Sequence, residues 1–167
     1  MKRISILLIM VTSVLVVHAQ QGLHINELFK GAIIPQDEMM ETRVRGKMIS
    51  KYQLSYYHSL RFYANQEEAK RIKELIEKDR KEHQDEDCTN DFTEYRNKKQ
   101  IVTSKKIELK PLKGKNRFIC IKTKEKPGSK KIEMIVIYLE GSLKSIHELN
   151  MILNNTGTFK ILKNTDK

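Results

Sequence analysis

Tryptophan is absent from this 167-residue chain, cysteine occurs twice, proline three times and glycine seven times. So little proline and glycine excludes collagen-like and Pro/Gly-rich disordered sequences. Two cysteines by themselves are not a zinc site, which needs four ligands. The common catalytic signatures are missing as well. There is no G-x-S-x-G turn, no helix with paired histidines, no phosphate loop and no calcium loop. No cofactor motif is present, so no cofactor or metal is expected. Beyond residue 17 there is no apolar run long enough to span a bilayer.

Charge is abundant. Lys and Arg number 32 against 21 Asp and Glu, a formal net charge of +11. An apolar fraction of 39% supports a modest core, and the length fits one domain.

The first residues read as an export signal. Lys2 and Arg3 precede the apolar run from Ile4 to Val17, and Val17-His18-Ala19 offers small residues where a signal peptidase reads. Cleavage after Ala19 is expected, leaving a chain from Gln20 to Lys167 with net charge +9. A run of 14 residues is shorter than the roughly 20 that cross a bilayer core. The expected location is periplasmic or extracellular. In that oxidising setting Cys88 and Cys120 are either bridged or two separate thiols, Cys120 in a strand and Cys88 in a loop.

Periodicity assigns the elements. His24–Phe29 predicts a short helix, and Met40–Lys47 and Tyr52–Tyr63 alternate as strands. Asn65 with Glu68 forms a capping-box pattern opening a helix to about His83, with Ala69, Ile72, Leu75 and Ile76 as its apolar stripe. Gln84–Asn90 is an acidic loop, and Asn90–Lys98 fits either a loop or a short strand anchored by Phe92 and Tyr95. Lys99–Leu109, Arg117–Lys124 and Lys131–Glu140 read as a three-strand meander turning at Gly114 and at Pro127-Gly128, the latter a type II pattern. Lys105 interrupts the first of these strands and suggests a bulge. The last strand has no polar break from Ile135 to Leu139 and is expected at the centre. Ser145 and Glu148 suggest a second capping box, with a helix to about Asn154.

The expected fold is a single α+β domain over 20–154, ordered short α, β, β, α, β, β, β, α. Its sheet is mainly antiparallel, with the two main helices packed on one face. The signal occupies 1–19. A polar tail occupies 155–167, where Phe159, Ile161 and Leu162 are apolar enough to dock.

The segment Met134-Ile135-Val136-Ile137-Tyr138-Leu139-Glu140-Gly141-Ser142-Leu143, with Ile146 and Leu149, resembles small exported Gram-negative bacterial proteins of unknown function. Gly22–Phe29 is similar to the opening of one such group. The resemblance implies bacterial export. It implies no activity and no functional residue.

Three features bear on chemistry. His58 sits on an otherwise apolar strand face beside Tyr52, Tyr56, Tyr57 and Tyr63, which could stack sugars or bases or simply pack. Asp85, Glu86 and Asp87 lack the spacing of a cation loop and would hold the Cys88 thiol protonated. The positive charge is concentrated: residues 95–131 carry net +12 and residues 66–94 net −5. Lys113, Lys115, Arg117, Lys122, Lys124, Lys126, Lys130 and Lys131 are therefore candidates for contacting an anionic partner, an envelope component or another envelope protein. The competing reading is that these lysines protect strand edges from aggregation. Export and the lack of a nucleic-acid motif argue against DNA or RNA.

The functional expectation is an exported, soluble, non-enzymatic binding or envelope-interaction module. The alternatives are an enzyme whose site assembles near His58 and the tyrosine-rich strand, and a regulatory partner of an envelope complex.

Overall fold

The computed structural model describes Gln20 and residues 22–155. The expected signal at 1–19 and the tail beyond Asn155, with Phe159, Ile161 and Leu162, lie outside the described residues.

The chain forms helix α1 (Asn26–Phe29), a 3-10 turn (Gln36–Glu38), strand β1 (Met40–Arg45), helix α2 (Lys47–Ser50), strand β2 (Leu54–Ala64) and helix α3 (Gln66–His83). Strands β3 (Asn90–Arg96), β4 (Ile101–Leu112), β5 (Lys115–Glu125) and β6 (Ile132–Gly141) and helix α4 (Ile146–Asn155) follow. The six strands make one sheet in the order β1-β2-β6-β5-β4-β3, antiparallel throughout. This is the expected α+β domain. β6 takes the central place that its unbroken apolar run suggested.

Local sequence explains the main boundaries. Asn65 accepts from the Glu68 N–H at 2.9 Å while the Glu68 carboxylate accepts from the Asn65 N–H at 2.8 Å, so both halves of the α3 box form. The second box forms by half. Ser145 Oγ accepts from the Glu148 N–H, but the Glu148 carboxylate turns to the Lys144 N–H. The β4–β5 turn uses Lys113 and Gly114, both at positive φ, as a two-residue hairpin of type I′ requires. At the β5–β6 turn the Ser129 N–H donates to the Lys126 carbonyl at 3.0 Å with Gly128 at φ +79°, the geometry expected for Pro-Gly at the centre of a type II turn.

Three details depart from expectation, and one open alternative is resolved. The two main helices do not share a face. Along β6, Ile132, Met134, Val136 and Tyr138 pack with Ala69, Ile72, Leu75 and Ile76 of α3, and with Ile25 and Leu28. Ile135, Ile137 and Leu139 pack with Ile146 and Leu149 of α4. Successive side chains of a strand point to opposite sides, so α3 and α4 cover opposite faces. The physical reason lies in β6 itself, where burying every residue but Glu133 requires a cover on each side. Second, of the loop and the short strand that both fitted Asn90–Lys98, the strand forms, over Asn90–Arg96 at the edge of the sheet. Third, Lys47–Ser50 is a helical turn, and the preceding strand stops at Arg45. Fourth, there is no bulge at Lys105. Register runs unbroken through Lys105↔Ile121 and shifts only between Leu109 and Leu112. Lys105 stays in line because its ammonium reaches Glu77 of α3 at 2.8 Å.

Candidate functional site

Strand pairing gives His58 its partners. β1 lies beside β2 with Arg43 opposite His58 and Arg45 opposite Tyr56, which places Glu41, Arg43 and Arg45 on the face that His58 uses. The His58 Nε2 lies 2.7 Å from a Glu41 oxygen. Its Nδ1 lies 2.9 Å from the Gln20 amide nitrogen and 3.2 Å from the Tyr56 hydroxyl. An ionised Glu41 accepts, so Nε2 carries the proton and Nδ1 receives. Phe29 covers the ring at 4.4 Å between centroids. Burial, with Arg43 and Arg45 nearby, pushes the His58 pKa down to about 4 against the pull of Glu41. Burial works to raise Glu41, but its hydrogen bond to His58 and the charge of Arg43 hold it below the usual carboxylate range. His58 is thus a neutral, fully bonded ring, 1% exposed. A buried ring bonded on both nitrogens is suited to holding β1 and the N-terminal segment on the sheet.

The tyrosines divide. Tyr56 and Tyr57 are buried on opposite faces, whereas Tyr63 is 56% exposed. Cys88 and Cys120 are separate free thiols, the second of the two expected arrangements. Cys120 is buried in the face beneath α4, and burial pushes its thiol up to about 12. Cys88 donates to Asp85 in the acidic loop. Partial burial raises its pKa, and the charges of Asp85 and Glu108 add to the effect. Among the described residues no three His, Cys, Asp or Glu side chains gather as a metal site.

The basic residues do not form one patch. Lys113 and Lys115 lie at the β4–β5 turn; Lys126, Lys130 and Lys131 lie at the β5–β6 turn. The 11 residues of β5 separate those ends by about 35 Å. Arg117 is removed from the surface. It pairs in register with Glu140, donates Nε–H to the Lys110 carbonyl at 2.8 Å and is 4% exposed. Arg117 is therefore a core group and cannot act as the surface contact expected of it. Its guanidinium also bonds the Tyr138 hydroxyl, which donates to the Glu140 carboxylate at 2.6 Å, so the buried charge has polar partners as burial demands.

The β5–β6 end is where lysines converge. Lys124, Lys126 and Lys131 line one groove of about 310 Å³ with Tyr63, Ser129 and Glu133. The register builds it, since Tyr63 and Lys124 both lie opposite Glu133 across β2-β6-β5. The turn contributes the remaining wall. Ser129 Oγ donates to the Lys131 carbonyl at 2.8 Å and accepts from its N–H at 3.1 Å, which folds Lys131 back toward the sheet. Arg61 holds the Glu133 carboxylate at 2.5 Å, so the acid in the groove is already neutralised.

A larger groove of about 870 Å³ runs between α3 and strands β3–β5, floored by Ala69, Ile76 and Ile121. Its charges pair across the opening, Lys105 with Glu77 at 2.8 Å and Lys73 with Glu125 at 3.8 Å. It offers no excess charge to a ligand.

One family model matches the chain over residues 12–153, that of a family of unknown function, DUF6108. The chain belongs to the DUF6108 family. No curated protein and no solved structure matches it. The matched span covers all six described strands and most of α4, and membership brings no activity with it.

Sequence reasoning singled out Tyr63 and the lysines separately and did not join them. The signal lay in the pairing of β2, β5 and β6, which sets residues 63, 133 and 124 in one row. Glu41 and Gln20 as partners of His58, and Asp79, were not singled out at all. Asp79 is fully buried on α3 and accepts from the His24 and Ile25 N–H groups at 2.6 and 2.8 Å, tying the N-terminal segment to the helix.

Proposed function

We propose that this DUF6108 protein is an exported, non-enzymatic binding module that engages an anionic partner through the β5–β6 end of its sheet. The observation that carries this is the convergence of Lys124, Lys126 and Lys131 on a single groove, with Lys130 in the same turn. Like charges gathered at one end raise the local concentration of an anion and speed its capture. Burial of His58 supports the non-enzymatic reading, because the strongest catalytic candidate is withdrawn from solvent. The basic start and short apolar run of residues 1–19 support export, as does the likeness to exported Gram-negative proteins, which would place the partner in the bacterial envelope. Cleavage before Gln20 would keep every described residue, including Gln20 with its contact to His58.

The test is binding of the chain from Gln20 onward to vesicles of anionic phospholipid and to acidic polysaccharides, at low and high salt. Binding should weaken steeply with added salt, because exposed charges are screened within about 8 Å at physiological ionic strength. The triple variant Lys124→Gln, Lys126→Gln, Lys131→Gln should lose most of it. Undiminished binding by that variant overturns the proposal.

A further inference from the structure

We infer that the lysine groove is a subsite for an acidic sugar, with the Tyr63 ring as the platform for the sugar and the three lysines around its charged substituent. This rests on the binding reading above and narrows it from anions in general to one ligand class.

Three observations point there. First, the site is concave. Its volume of about 310 Å³ is at the lower end of ligand pockets, which run from about 300 to 1,000 Å³. A bilayer surface is flat and is met by a plane of lysines, whereas a recessed cluster suits a discrete group that enters it. Second, the groove has an aromatic wall. Tyr63 shares β2 with two buried tyrosines yet is itself exposed, at the rim of the lysine cluster. An aromatic face carries negative charge density and attracts polarised C–H groups. A sugar ring presents such a C–H face next to its charged substituent, which a bare phosphate does not. Third, the groove keeps an acceptor. The Glu133 carboxylate lies among the lysines, with Arg61 at its back. A site built for anions alone gains nothing from an acid. A ligand carrying hydroxyl donors as well as an anionic group can use both.

The groove itself does not choose between a uronic acid and a sulfated sugar, whose shared chemistry is an anionic group on a pyranose. The experiment separates them. The chain from Gln20 onward is titrated with oligogalacturonate, with dextran sulfate and with neutral dextran. Its Tyr63→Ala, Tyr63→Phe and lysine-triple variants follow, each checked for fold by circular dichroism, and phosphatidylglycerol vesicles are measured in parallel. The expected result is binding to at least one acidic glycan and none to neutral dextran. Tyr63→Ala should lose about two- to tenfold in affinity for it, the range of a ring contact, while Tyr63→Phe keeps it. Tyr63→Ala should leave vesicle binding unchanged. Wild-type affinity in Tyr63→Ala overturns the sugar subsite. So does vesicle binding that depends on the lysines without any glycan binding, and in that case the anionic-partner reading stands. No binding to any probe removes both.

Discussion

His58 carries a pH dependence that can be worked out from its surroundings. Its pKa falls from an ordinary 6.5 to about 4 in the folded chain. Between those values the unfolded chain binds a proton that the folded chain refuses. The stability contributed by the neutral ring is therefore complete above pH 6.5 and is lost as pH falls toward 4, to a limit of about 3 kcal/mol. Glu41, held below the usual carboxylate range, stays ionised through most of that window and keeps accepting from Nε2. Denaturant unfolding at pH 7 and pH 5 should show the wild-type chain losing about 2 kcal/mol. His58→Gln, which retains a donor toward Glu41 and cannot titrate, should remove that loss. The two proteins share every other histidine, so equal slopes would assign the effect elsewhere and leave His58 as an ordinary packing residue.

At the scale of elements, the junction of β2, β6 and α4 turns on one glycine. A Cβ on Gly141 would sit 2.1 Å from the Gln53 carbonyl oxygen and 2.9 Å from the Leu54 Cα, both backbone atoms that cannot step aside cheaply. The same carbonyl accepts from the Ser142 N–H at 2.8 Å, and Gln53 is itself at positive φ before the irregularity between Leu54 and Tyr56. Gly141→Ala should therefore cost about 2–3 kcal/mol, the range of overpacking, measured as a shift in the denaturant midpoint at constant slope. A neutral Gly141→Ala would mean that the bulge slides to accommodate it. Close approach of this kind is invisible in a sequence, where Gly141 reads only as the end of a strand. Other features of the elements were legible because they are local. Asn65 and Glu68 stand three residues apart and announce α3; Pro127-Gly128 announces its turn; Ile135–Leu139 announces a central strand. β3 was legible only as one of two alternatives, because every residue of Asn90–Arg96 is exposed or half-buried and no alternation separates strand from loop. The lysine groove was not legible either. Tyr63, Lys124 and Lys131 lie far apart in the chain, and only strand pairing brings them together.

For the whole molecule, what matters is that one strand serves two cores. The cluster under α3 and the cluster under α4 share no residue, yet β6 contributes alternate side chains to each. An amphipathic stripe on α3 or α4 says that the helix is covered on one side. It cannot say which side of the sheet does the covering, which is why opposite placement had to be seen. With β6 as the common wall, neither cluster can lose its packing while the other keeps a complete strand, so the domain should unfold as one unit. Val136 faces α3 and Ile137 faces α4, both essentially buried. Val136→Ala should cost about 1–3 kcal/mol and Ile137→Ala about 2–5 kcal/mol, through lost burial and residual cavity. Each substitution should lower hydrogen-exchange protection of the β6 amides by its own full unfolding cost, because those amides open only when both faces do. The outer strands β1 and β3 are paired on one side only and should exchange by local opening, with little response to either change. If Ile137→Ala exposed the α4 side alone and left amides on the α3 side as protected as before, the two clusters would be independent units. The lysine groove, built by β2, β5 and β6 together, would then depend on the α4 side alone for its shape.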